Sequence, residues 1–205
     1  TFMKLTMKSI LLFAGIVCLK TFAVTEINPN IFFDTKAQEM VEVIRSNQSL
    51  YASDPEMFKN KIKIIFEPLV DFRRVGASVM GRKYYHASTK AQKQRFIETF
   101  KKSLLNNYSS TLAQWGDQSI KTIFPDKTVF KKTENVHQNL LTSNNKYPIK
   151  YIVRNDGSGN WLIINIIVNG VNLGSNFRNH FQALAIEHNG DIEKVINNWT
   201  FDANF

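Results

Sequence analysis

Cysteine is nearly absent from this chain of 205 residues: Cys18 stands alone, so no intrachain disulfide and no multi-cysteine metal site can be assembled. Histidine is also thin. His86, His137, His180 and His188 are scattered, and none sits at ligand spacing from another with a carboxylate between them. There is no G-x-S-x-G nucleophile turn and no phosphate-cradling glycine loop, and Gly157-Ser158-Gly159 reads as a plain turn. These gaps argue against nucleophilic, metal-dependent and nucleotide-dependent catalysis, so neither an enzyme nor a metal or organic cofactor is expected. Beyond the N-terminus no apolar run reaches the roughly 20 residues that a membrane-spanning helix needs. No low-complexity linker and no internal repeat divides the chain.

Charge is plentiful but unfocused. The formal net charge of +9 raises the question of nucleic acid. Yet Lys and Arg come in ones and twos, as in Lys61/Lys63, Arg73/Arg74 and Lys131/Lys132, with no helix-turn-helix, zinc-finger or aromatic RNA-binding signature. A nucleic-acid partner is not expected. A mild positive surface suits an acidic partner or an anionic membrane equally well.

What the chain does have is apolar and aromatic: 43% hydrophobic residues and 16 Phe. The first apolar segment, Ile10 to Leu19, follows Lys4 and Lys8 and ends at the small-x-small site Thr21-Phe22-Ala23. This is the pattern of a cleaved secretory signal peptide over residues 1–23, leaving an exported single domain over 24–205.

Within that domain the apolar period changes once, from helical over about 30–115 to extended over about 117–173, with closing helices over about 175–199. Asp34 or Thr35 is a candidate cap for a helix bearing Ala37, Met40, Val41 and Ile44. Pro55 opens another, Pro68 interrupts it, and Phe72, Val75, Val79 and Met80 continue to Gly81. Thr89-Lys90-Ala91-Gln92 fits a capping box for the longest helix, whose stripe is Phe96, Phe100, Leu104, Tyr108 and Leu112. Lys121–Phe124, Val129–Lys132 and Val136–Thr142 alternate like strands. Tyr147, Ile149, Tyr151 and Val153 share one face of a strand, and residues 155–160 turn it into Trp161–Val168. In that last strand Trp161, Ile163, Asn165 and Ile167 are expected on one face and Leu162, Ile164, Ile166 and Val168 on the other, so both faces call for burial. Asn165, the odd polar residue, needs a hydrogen-bond partner, most simply a neighbouring backbone. Ser175 or Asn176 is expected to cap the next helix. The fold class is α+β: a twisted antiparallel sheet packed against several helices.

The segment Asp71 to Leu112 resembles the helical signature of the MlaC / toluene-tolerance family, through Asp71-Phe72, Met80-Gly81, Tyr84/Tyr85, Ala87-Ser88, Gln94-Arg95-Phe96, Phe100, Leu104, Tyr108 and Leu112. A second signature, a Trp strand followed by a Gly-Val turn and an aromatic-Arg helix, is similar to Trp161, Gly170-Val171-Asn172-Leu173, Phe177-Arg178 and Phe181. The family usually has Asp at Asn165 and Ser at Asn172. The resemblance implies a soluble, monomeric periplasmic phospholipid carrier, with phospholipid as cargo and an apolar pocket between sheet and helices. It further implies two partners, an outer-membrane lipoprotein–porin complex and an inner-membrane ABC transporter with its lipid-binding subunit, in a system that keeps the outer membrane asymmetric. On this reading Phe72, Val75, Val79, Phe96, Phe100, Leu104, Tyr108, Trp161, Ile163 and Ile167 lie in or around the pocket, with Phe177 and Phe181 joining from the final helix. Arg178 is expected near the mouth, contacting a partner or a lipid phosphate. The alternative is a secreted cystatin-like or nuclear-transport-factor-like cone that binds a small molecule, or acts as an enzyme. A third is a structural module with no pocket.

Overall fold

A computed structural model describes residues 27–200. The expected signal peptide lies outside them. Helix α1 runs Pro29–Ser46 and begins ahead of the expected Asp34 cap. Pro29 occupies the first turn, where a missing N–H costs nothing, and the Asn28 side chain accepts from the Asn30 backbone at 2.9 Å. Asp34 is used elsewhere: its carboxylate accepts from the Thr122 hydroxyl at 2.7 Å, tying α1 to the sheet. A short α2, Gln48–Ser53, leads to α3, Pro55–Phe66, capped by Asp54. Pro68 tightens the chain into one 3-10 turn, Glu67–Leu69, before α4, Phe72–Ala87, capped by Asp71. Gly81 kinks α4 with φ 72°, ψ 161°, a conformation that side chains with a Cβ avoid. The Thr89/Gln92 capping box starts α5, Lys90–Ala113.

Five strands follow: β1 Ser119–Ile123, β2 Thr133–Leu141, β3 Lys146–Asn155, β4 Trp161–Val168 and β5 Val171–Asn172. They form one antiparallel meander in the order β1-β2-β3-β4-β5. Val129–Lys132, expected to be extended, belongs instead to the irregular connection between β1 and β2. Helix α6, Leu173–Glu187, is capped by Asn172 rather than by Ser175 or Asn176, and α7, Ile192–Asn197, closes the described chain. The architecture is α+β, with the antiparallel sheet packed against helices. The open edge of β1 is covered from α1, where Gln38 donates to the Ile120 carbonyl and Arg45 to that of Gln118.

One irregularity controls which residues of β4 look inward. Val153 pairs with Ile163 but Ile152 pairs with Asn165, so Ile164 is an extra residue, a bulge. Beyond it the alternation inverts. Ile166 and Val168 join the face of Tyr151 and Ile149, while Ile167 turns to the opposite face, across from Lys150. On that outer face Leu162 and Ile167 are half-buried opposite Arg154 and Lys150, whose hydrocarbon stems suit such a surface. The outer face of β4 therefore sits among cationic stems, where the sequence pattern called for a second fully buried face.

The buried side chains fall into three clusters. The largest joins α4, α5, α6 and α7 through Val79, Met80, Phe96, Phe100, Phe181 and Val195, with Trp199 just beyond α7. A second holds Phe33 of α1 against Val136, Val153, Trp161 and Ile163 of the sheet. A third joins α1 and α3 through Ile44, Phe58 and Ile62.

Candidate functional site: an apolar cavity between three cores

Well-packed interiors leave few voids larger than a water molecule. Here a cavity of about 310 Å³ lies between the clusters, and each supplies part of its wall. The first gives Phe72, Phe100 and Phe177, the second Phe33, Leu69 and Ile163, and the third Ile62. Met40 and Ala37 of α1, Phe66 of α3, Val75 of α4, and Leu104, Leu105, Tyr108 and Leu112 of α5 fill in between. The sheet contributes Ile120, Tyr151 and Ile163 to Ile166, and α6 adds Leu173 and Gly174.

The wall is almost wholly apolar, and most of its few polar groups are engaged, but the Gln138 Oε1 is buried with no hydrogen-bond partner among the described residues. Gln138 donates its Nε2 to the Phe33 carbonyl at 3.2 Å and to the Thr122 hydroxyl at 2.9 Å. Ser109 donates back to the Asn106 carbonyl. Lys36 binds Glu39 at 2.7 Å. Burial pushes the phenols of Tyr108 and Tyr151 up to about 12, so both are neutral over the physiological range. Asn165 closes one end. Its Oδ1 accepts from the backbone N–H of Ile166 and of Gly174, and its Nδ2 donates to Asn172 Oδ1 at 3.0 Å. Asn172 Oδ1 also accepts from Ser175 N, so one amide pair ties β4 to the start of α6. Among the described residues no group of His, Cys, Asp and Glu could hold a metal ion, and no helix is long and apolar enough to cross a membrane.

Of the residues that the sequence placed at a pocket, the structure brings together Phe72, Val75, Phe100, Leu104, Tyr108, Ile163 and Phe177. The others lie elsewhere, each for a packing reason. Phe96 and Phe181 are sealed against one another and Trp199, with centroids 5.0 and 5.1 Å from Phe96, and Val79 is buried in the same cluster. Trp161 is buried between sheet and α1, with its Nε1–H given to the Ile27 carbonyl at 2.7 Å. Ile167 faces away because of the bulge at Ile164. Arg178 is exposed on α6 and lies over Gly81 rather than on the cavity wall, its Nη2 at 3.3 Å from where a Cβ on Gly81 would stand. The sequence reading missed the contributions of α1, α3 and the end of α5, from Phe33, Met40, Ile62, Phe66, Leu105 and Leu112. Their only signal was ordinary helical amphipathicity.

The family model described as MlaC protein matches residues 34–200. Toluene tolerance protein ttg2D of Pseudomonas putida is 36% identical over 163 residues, 78% of this chain and 74% of that protein. The intermembrane phospholipid transport system binding protein MlaC of Haemophilus influenzae is 23% identical over 154 residues, 74% of this chain and 72% of that protein. Among solved structures, the phospholipid-binding protein from Ralstonia solanacearum, solved in complex with a phospholipid, matches with a TM-score of 0.76 at 17% identity, over 83% of this chain and 94% of that one, which shows a shared fold. Since the family pattern covers most of the sequence and more than a third of the positions aligned with the Pseudomonas relative are identical, the chain belongs to the MlaC family.

Proposed function

We propose that this protein is a periplasmic phospholipid carrier and that its central cavity shelters acyl chains. The observation that carries the reading is an apolar space of about 310 Å³ left open between three otherwise dense cores. Apolar side chains that border such a space forgo the close contacts that a filled core would give them. A sequence that keeps such a space gains from something apolar that fills it. A diacyl phospholipid with about 30 methylenes is held in a bilayer by roughly 25 kcal/mol against water, so crossing an aqueous compartment requires a sheath. Moving the chains from one apolar surrounding to another is close to neutral, and loading can be reversible without covalent chemistry. Family membership and the names of the relatives support phospholipid as the cargo; the delivery we propose runs between an outer-membrane lipoprotein–porin complex and an inner-membrane ABC transporter and its lipid-binding subunit. Arg178, on the outside of α6, is read as a contact to an acidic partner rather than to cargo. Transfer of labelled phospholipid from donor to acceptor vesicles by the purified protein tests the carrier role. A transfer rate linear in protein concentration is expected, and a rate no faster than spontaneous exchange would overturn it.

A further inference from the structure

The connection between β1 and β2, residues 124–132, carries apolar side chains outward where a loop ordinarily turns polar ones. Phe124 is 55% exposed and Val129 75%, and Ile123, at the end of β1, is 52% exposed. Helix α1 runs antiparallel to β1, with Gln38 bonded to the Ile120 carbonyl and Asp34 to Thr122. One turn further back, this brings exposed Ile31 toward the end of β1.

The loop is held in this shape rather than left loose. The Glu134 carboxylate accepts from the Lys127 ammonium at 2.6 Å and from the Lys131 backbone N–H. Those bonds, with burial opposing them, hold the Glu134 carboxyl below its usual range. Lys127 lies over the Phe130 ring, which folds inward. The Glu134 carboxylate is thus taken up by the loop, and Lys121 on β1 and Lys131 and Lys132 in the connection remain exposed, with Asp126 the one exposed acid in the connection.

The geometry points to this connection as a docking surface for an anionic lipid bilayer. A few exposed apolar side chains on a segment that also bears exposed lysines can enter the headgroup boundary while the ammonium groups meet lipid phosphates. The patch is small and split by lysines, which suits a bilayer better than the wider apolar core of a stable protein interface. None of Ile31, Ile123, Phe124 and Val129 lines the cavity, whose wall begins a few residues away at Phe33 on α1 and Ile120 on β1. The proposal goes beyond the carrier reading and does not depend on what fills the cavity.

Co-flotation with vesicles tests it, using phosphatidylcholine alone and mixed with phosphatidylglycerol. The protein should float with the mixed vesicles, less so as salt is raised, and barely with phosphatidylcholine alone. Phe124→Ser/Val129→Ser and, separately, Lys131→Glu/Lys132→Glu should each weaken binding about tenfold or more. Ile64→Ser, a control at another exposed apolar residue, should leave it unchanged. Failure of the protein to float with mixed vesicles, or flotation that both double variants retain, overturns the proposal. Lipid co-purified with the same samples is measured in parallel and should not change with these loop variants. Flotation without co-purified lipid would sustain the docking surface and sink the carrier reading.

Discussion

The Asn165 amide oxygen accepts the backbone N–H of Gly174 at 3.1 Å, and a Cβ on Gly174 would stand 2.5 Å from that same oxygen. No side chain fits there unless the pair separates. The contact joins β4 to the first turn of α6 at one end of the cavity, so a local steric rule fixes how the cavity is closed.

Gly174→Ala is therefore expected to lower stability by about 1–3 kcal/mol, because it pushes the oxygen off its donor and leaves partly buried polar groups unpaired. Asn165→Leu should do comparable damage from the other side, and the double variant should cost less than the sum of the two. Urea denaturation of the four proteins checks this. Simple additivity would show that the two residues do not act as one joint.

Cavity wall and solid core should respond in opposite ways along α5. Phe96→Ala removes a ring packed on every side and is expected to cost about 3–5 kcal/mol. Leu104→Trp grows into open space, so stability should stay within about 1 kcal/mol while co-purified lipid falls sharply. Thermal unfolding combined with organic extraction separates the two. A destabilised Leu104→Trp that keeps its lipid would place the hydrocarbon elsewhere.

The two buried phenols make stability depend on alkaline pH. Tyr108 and Tyr151 bind their protons more tightly in the folded chain, at about 12, than the ordinary value of 10.0. The folded state then holds more protons than the unfolded one across this window. Their contribution is complete below pH 10 and lost as pH rises toward 12. Unfolding midpoints measured between pH 9 and 12 should fall steeply above 10, and Tyr151→Phe should flatten part of that fall. A parallel fall in the variant would remove Tyr151 from the explanation.

Much of this was legible in the chain because it is local. The Thr89/Gln92 box, the Pro55 start and the alternation of Tyr147 to Val153 each depend on residues a few positions apart, and each appears where the pattern put it. The start of α1 was misplaced because Asp34 looks like a cap, while in the fold its carboxylate is taken by Thr122, far away in sequence. The bulge at Ile164 leaves no mark in the run from Trp161 to Val168, where nearly every residue is apolar whichever way it faces. The position of the cavity was the least visible. Phe96, Phe100, Leu104 and Tyr108 form one stripe, and whether a given ring meets Trp199 or open space depends on where α6 and α7 end against it.

Native mass spectrometry of the protein as purified tests the central claim most directly. The account expects an added mass equal to a diacyl phospholipid, released by denaturation and missing from Leu104→Trp while that variant remains folded. A bare polypeptide mass, or a lipid adduct of equal abundance in Leu104→Trp, would contradict it.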